Sequence, residues 1–562
     1  MSLLVIRNGT VYDPSNGVNG EVRDIWIQDG RIVAPPADGT SARAIDATGC
    51  VVMPGGVDIH AHIAGPKVNA ARKMRPEDKR LARPILRTPR TRSGTTGSVP
   101  STFATGYLYA GMGYTTAFDA AVPPLGARHA HEEFHDTPVI DKGFYVLMGN
   151  NHYVLKQLAA MKADPRGAEA RLHAFAAWLI GAAKAYAIKL VNPGGVETWK
   201  EKQAGNVHSL DEPVPAFGVT PRQIIQELAQ TAMDLQLPHP VHIHCNNLGL
   251  PGNWRTTLET MMALEGRRAH LTHIQFHSYG GTTDEITQAG KDEPFCSKVA
   301  PLVDYVNSHP NLTVDVGQVL FGETTSMTGD GPLGYYLHRV TGRKWFNADT
   351  EMETGCGIVP INYRERSLVH ALQWAIGLEW YLLIQDPWRI CMSTDHPNGG
   401  SFRAYPEIIH LLMSRDYRRE VLKRVPPKVL QRSVLPDLDR EYSLYEIAII
   451  TRAAPARILG LPHKGHLGVG ADADVAIYQP QSDLTRMFSF PRWVIKGGEV
   501  IVEDGEVRQE VFGKTLHVAP PYDRDHLEDI RQWFEAHYTI QFANYPVEET
   551  YLDRGTQATS QE

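Results

Sequence analysis

The stretch MPGGVDIHAHIAG, residues 53–65, places two histidines one residue apart at the end of an apolar run. Side chains at i and i+2 of a strand point to the same face, so His60 and His62 would project together from a strand end. Such a pair alone is weak evidence for a metal, because turn and core histidines are the ordinary alternative. Matching residues downstream strengthen it. His242 and His244 in VHIHCNN, His273 in LTHIQF and Asp395 in MSTDHPNGG each close another strand-like run. Imidazoles and a carboxylate are the ligands of a catalytic zinc that keeps a position open for water. Lys189, in YAIKLVNPGG, lies near the end of an apolar strand, where a bare ammonium is expensive to bury. Carbamylation by CO2 would turn its amine into an anionic bridge between two metals. The alternative is an amine that snorkels to water or pairs with an acid.

Around these motifs, buried-type strands such as GYTTAFDAAV, KGFYVLMG and LTVDVGQVLF alternate with helical stretches such as EARLHAFAAWLIGAAKA. That alternation predicts an α/β fold, a parallel (β/α)8 barrel over residues 54–463. In such barrels the site sits at the C-terminal ends of the strands, where His60 and His62 fall. Residues 1–53 and 464–515 share a different grammar, with alternating apolar residues broken by NG, DG and GG turns. The two end pieces are expected to pair into one small β-sandwich domain. Residues 516–562 are left as a C-terminal extension, whose tail RGTQATSQE has a disordered composition.

The 562 residues carry a net charge of −7, which argues against nucleic acid as the main partner. The five cysteines form no CxxC pair, so neither an iron–sulfur cluster nor a disulfide framework is expected, in keeping with a cytoplasmic location. The N-terminus has no signal-peptide pattern and no eighteen-residue apolar run predicts a membrane span. One segment departs from the average. Residues 66–92 hold ten Lys or Arg against Glu77 and Asp78, a local charge of +8. This is either a solvated loop or subunit contact, or an anion-attracting arm at the barrel mouth. The Gly- and Thr-rich stretch 317–332 reads as a loop that lines a site or merely connects. The cluster His129, His131 and His135 reads as surface or packing.

GGVDIHAH, the strand lysine, the later histidines and the late TDH together resemble the amidohydrolase superfamily, near its dihydroorotase and hydantoinase branch. ITRAAPARILGLPHKGHLGVGADADVAIY, from residue 450, is similar to the closing signature of that branch. HIHCNNLGLPGN, HLTHIQFHSYGG and STDHPNGGSF resemble the alpha subunits of formylmethanofuran dehydrogenase and of the bacterial formyltransferase/hydrolase complex. The resemblance implies two Zn2+ ions, with His60, His62 and Asp395 on one, a carbamylated Lys189 as bridge, and His244 and His273 completing the other. His242 and His277 remain substitutes for the last two. It further implies Asp395 as proton shuttle, and hydrolysis of an N-formyl carrier of the methanofuran or methylofuran type, or the reverse condensation. The partners would be other subunits of such a complex. Asn246, Arg83, Arg87 and Arg90 are the candidate contacts to the anionic carrier. A hydantoinase- or dihydroorotase-like hydrolase of cyclic amides and a metal-free scaffold subunit are the competing readings.

Overall fold

Eight apolar segments run parallel as Gly56–Ala61, Tyr114–Val122, Asp141–Leu147, Ala187–Val191, Val241–His244, Ala269–Leu271, Leu312–Asp315 and Ile390–Cys391, hydrogen-bonded in chain order. The computed structural model describes residues 3–36, 41–81, 84–202, 207–281, 294–348 and 356–552. A parallel bridge between Ala61 and His396 closes the ring, and the His62 amide donates to the His396 carbonyl at 2.7 Å. The predicted barrel is therefore present. Its strands are buried at every position from Tyr114 to Val122 and from Asp141 to Leu147, as a parallel sheet covered on both faces requires. Crossover helices follow local start signals. Asp164 caps Pro165–Ala183 by accepting from the Gly167 amide, and Thr220 caps Pro221–Asp234 by accepting from the Gln223 amide.

The strand register sets the site. Lys189 lies opposite His242, His242 opposite His270, and His270 opposite Thr313. Further along the same pair of strands, Val191 lies opposite His244. Two tiers of polar side chains thus cross the middle strands, one inside the barrel and one at its mouth.

Both chain ends build one nine-stranded mixed sheet with its own core, which includes Ile6, Val52, Val475 and Ile477. The strands expected to form a sandwich are continuous here because Val51–Pro54 pairs antiparallel with Val475–Tyr478. Residues beyond 515 wrap the barrel. Thr515 bridges to Lys142, and Phe534 and Phe542 from the extension pack on Trp178 with ring centroids 5.8 and 5.0 Å away. The tail 554–562 lies outside the described residues. Among the described residues no helix is long and apolar enough to cross a membrane.

A buried charge network fastens the end sheet to the barrel. Asp141, at the start of the third barrel strand, meets the ammonium groups of Lys464 and Lys496, the latter at 2.6 Å. Asp474 accepts from Lys464 at 3.1 Å and from Lys496 at 2.8 Å. Burial alone would raise the Asp141 carboxyl, but the two ammonium groups hold it far below the ordinary carboxylate range. Removing one cation leaves buried carboxylates under-compensated, which typically costs roughly 3–5 kcal/mol. Lys464→Met should therefore lower unfolding stability by that order in denaturant titration. Unchanged stability would mean the network contributes nothing net.

Candidate metal centre

The first barrel strand carries His60, and carboxylates hold its C-terminal end. Asp58 accepts from the His60 amide at 3.0 Å and from the Tyr109 hydroxyl at 2.7 Å, with Tyr405 donating to the same carboxylate. His62 follows the strand. Asp119, from the second strand, accepts from the Ile63 and Ala64 amides at 2.7 and 2.9 Å and so fixes the turn beyond His62. His273 and Asp395 adopt left-handed φ of 37° and 50°, an uncommon backbone for non-glycine residues and one that clusters at functional sites. Gly317, at φ 67°, makes room for them: a Cβ there would collide with the Cβ of His273.

These elements converge. The Asp395 Oδ1 atom lies 2.9 Å from His60 Nε2 and 3.1 Å from His62 Nε2. His60, His273 and Asp395 offer ligand atoms within 4.8 Å of one another. The His244 ring stands edge-on to that of His273, centroids 4.7 Å apart, and its Nε2 meets Asp330 Oδ2 at 3.1 Å. Lys189, 1% exposed, has an Nζ without a hydrogen-bond partner, and the buried Nδ1 of His273 is also unpartnered.

The charge states suit a metal. Burial drives the His60 imidazole down to about 4, so it is neutral at physiological pH. Burial opposes ionisation of Asp395, but His273 and His60 hold it well below the ordinary range, as a carboxylate. Neutral imidazoles, a carboxylate and two orphaned nitrogens form a donor set that fits a divalent cation. Burial also drops the Lys189 amine to about 7, giving it a substantial neutral fraction, the form that attacks CO2.

The remaining candidates are placed less centrally. His242 lies one tier below, its Nε2 at 2.9 Å from His60 Nδ1. His277 ends the turn Ile274–His277, buried, its ring stacked on His273 at 5.3 Å. Asn246 is buried and donates to Asn192 Oδ1 at 2.8 Å and to the Pro193 carbonyl at 3.0 Å, bracing the loop after the fourth strand. Arg87 and Arg90 are exposed, and Arg83 lies outside the described residues. His131 is buried against the Ala183 carbonyl at 2.9 Å, a packing role. Sequence reasoning missed Asp119, Asp315 and Asp330. All three are acids in or just beyond strand-like runs, a signal that a search for histidines passes over. It also counted Lys67 only as part of a basic run, whereas its buried Nζ lies 3.0 Å from His62 Nδ1.

A cavity of about 950 Å³ opens onto Asp395. Phe276, Phe295, Leu333, Tyr336 and Ile361 line it, and Arg343, Arg364 and Arg432 add positive charge. The stretch 317–332 contributes Ser326 and Thr328, and it is not a loop throughout. Gly322–Thr328 forms a strand against Cys356–Tyr363, as its β-branched threonines favour. Much of the basic segment 66–92 is engaged internally. Arg72 pairs with Glu133 at 3.0 Å, Arg92 with Glu510 at 3.0 Å, and Arg75 with Glu323.

Comparison with known proteins agrees with this geometry. The profile of the Amidohydrolase family matches residues 43–502. Protein FwdA of Methanocaldococcus jannaschii is 49% identical over 572 residues, covering 98% of this chain and 97% of that protein. The alpha subunit of the formyltransferase/hydrolase complex Fhc of Methylorubrum extorquens is 41% identical over 517 residues, covering 91% and 90%. The crystal structure of the formyltransferase/hydrolase complex FhcABCD from Methylorubrum extorquens with methylofuran contains a chain that superposes with a TM-score of 0.91. That chain is 37% identical, and the match covers 99% of both chains. With a barrel closed through His62 and histidines, a lysine and an aspartate gathered at its mouth, this chain belongs to the amidohydrolase family.

Proposed function

We propose that the chain hydrolyses the N-formyl group of a methanofuran- or methylofuran-type carrier to formate and free amine, or condenses the two, as a subunit of a formyltransferase/hydrolase or formylmethanofuran dehydrogenase assembly. The observation that carries this reading is the orphaned Lys189 Nζ among the imidazoles of His60, His62, His244 and His273 and the carboxylate of Asp395, at the inner end of a large cavity. Similarity to FwdA and to the Fhc alpha subunit over nearly the whole chain supports the choice of substrate.

Two divalent metals, zinc by donor type, held by these six residues with Lys189 carbamylated, would acidify water and polarise a carbonyl oxygen. The protein's own part is positional. Asp395, placed between His60 and His62, takes a proton from the attacking water as its oxygen adds to the formyl carbon. It returns that proton to the nitrogen as the C–N bond breaks, releasing formate and amine. Carbamylation balances in the same way: the neutral Lys189 nitrogen adds to CO2 and releases one proton. The apolar walls exclude water and accept the carrier's hydrophobic part. Arg343, Arg364 and Arg432 supply cations for carboxylates. A small cyclic amide would leave most of the 950 Å³ empty, and a scaffold has no need of a partnerless buried amine.

The direct test is metal content together with formate release from the formylated carrier. Chelation should abolish release and divalent metal should restore it; release unaffected by complete metal removal would refute the reading. Asp395→Asn should retain the fold and lose about 10²–10⁴-fold in rate, the usual contribution of a general acid–base group. A rate within a few-fold of wild type would make Asp395 structural.

Lys189→Ala should lose tight metal binding and the carbamate signal that isotope-labelled bicarbonate gives in the wild type. Two bound metals without any such signal would exclude the bridge.

Charge reversal separates inner from outer contacts with the carrier. Arg364→Glu should raise KM for the full carrier and leave a short formyl-amine nearly unaffected. Reversal of Arg87 and Arg90, exposed side chains whose fields salt screens over ~8–10 Å, should have a smaller effect that vanishes at high ionic strength. Equal KM changes for both substrates would remove the arginines from carrier binding.

A further inference from the structure

Beneath the metal centre the barrel is filled by histidines that the proposed chemistry does not use. His60 Nδ1 lies 2.9 Å from His242 Nε2, and His242 Nδ1 lies 2.9 Å from His239 Nε2. The far nitrogen, His239 Nδ1, lies 3.1 Å from the carbonyl oxygen of Ile458. All three rings are fully buried, with Tyr145 stacked on His239 at 4.9 Å. We propose that His239 and His242 are positioning residues: a relay anchored on the Ile458 carbonyl that fixes which nitrogen of His60 carries its proton.

Donors and acceptors set the direction of the relay. A carbonyl only accepts, so His239 Nδ1 must carry hydrogen. A neutral imidazole has one N–H, so His239 Nε2 accepts and His242 Nδ1 donates to it. His242 Nε2 then accepts, and His60 Nδ1 donates. The lone pair of His60 is left on Nε2, the atom that faces Asp395 at 2.9 Å. The opposite ordering would set a bare nitrogen against the Ile458 oxygen. Metal-ligating histidines characteristically donate their second nitrogen to a fixed acceptor, often a carboxylate.

Asp315 is the nearest carboxylate, but its Oδ2 stands 3.7 Å from His60 Nδ1. It is engaged by His270 Nε2 at 3.1 Å, Ser393 Oγ at 2.5 Å and the His273 amide at 3.0 Å. Thr272 Oγ1 also touches His60 Nδ1, and it can share the proton without setting a direction, because a hydroxyl both donates and accepts. The terminal acceptor is thus a neutral carbonyl reached through two rings. It orders the tautomers without placing a full negative charge behind His60.

The inference rests on the metal reading above, and its test separates the two. Zinc affinity of the reloaded full-length protein is measured by chelator competition in wild type, His242→Phe, His242→Gln, His239→Phe and His239→Gln. Phenylalanine removes the acceptor, whereas the glutamine amide oxygen can replace the accepting Nε2. Each Phe variant should weaken zinc binding by about 10–100-fold, the usual effect of losing such a partner. Each Gln variant should stay within a few-fold of wild type. NMR of isotope-labelled histidine in the zinc-loaded wild type should place the protons of His60, His242 and His239 on Nδ1, and that measurement decides the matter if the Phe variants do not fold. Wild-type affinity in the folded Phe variants, or a proton on His242 Nε2, would overturn the relay alone. Failure of the wild type to hold zinc would overturn the metal reading and the relay's purpose with it.

Discussion

Dehydration of the barrel mouth is the constraint on which the rest of the structure depends. His60, His62, Lys189, His244, His273 and Asp395 are each no more than 4% exposed. In that medium a charge persists only where a partner compensates it. Burial pushes the imidazoles of His60, His244 and His273 towards their neutral form, and Asp395 remains ionised because imidazoles crowd around it. The Lys189 amine has neither remedy, since no hydrogen-bond partner reaches its nitrogen. A residue left in that condition is a standing cost to folding unless something else completes it. The same low dielectric that makes the orphan costly would strengthen the grip of anionic and imidazole ligands on a cation.

Parallel register gives this constraint its shape. His242 and His244 share a face of their strand, yet they lie on different tiers, because two residues advance the chain by about 6.6–6.8 Å. The upper tier meets Asp330 and His273, and the lower meets His60 Nδ1 and His239. A one-residue slip would turn both outward. Hence the closed hydrogen-bonding through Ala61 and His396, and the carboxylates of Asp58 and Asp119 beneath the first strand's end, belong to the site as much as its ligands do.

Much of this was legible in the sequence, for reasons that differ by residue. Strand–helix alternation and two-sided apolar runs identified the barrel, and the hairpin grammar at both ends identified a shared sheet. The histidines and Asp395 were readable because each follows a β-branched or apolar run that has to end at the barrel mouth. The tier of His242 was not readable, since an alternating HxH pattern says which face a side chain occupies but not how deep it lies. Asp315 and Asp330 were missed because their significance comes from partners distant in sequence: Asp315 from His270 and Ser393, Asp330 from His244. The basic segment misled in a different way. Its net charge is plain in the composition, but that charge is not free. Arg72, Arg75 and Arg92 answer to Glu133, Glu323 and Glu510, glutamates that lie well outside the segment.

The pairing of those arginines bears on how an anionic carrier would be met. A cation already paired with a carboxylate has little field left to offer at a distance, and exposed cations such as Arg87 and Arg90 are screened by salt. Arg343, Arg364 and Arg432 differ because they line a concave, largely apolar cavity, whose low-dielectric walls concentrate their field towards Asp395. A ligand with an apolar body and carboxylate arms can satisfy both kinds of surface at once. A purely anionic ligand would leave Phe276, Leu333 and Ile361 against water, and a purely apolar one would leave the arginines uncompensated. The shape and charge of the cavity thus select for an amphiphilic substrate, and they do so independently of which groups complete the centre at its inner end.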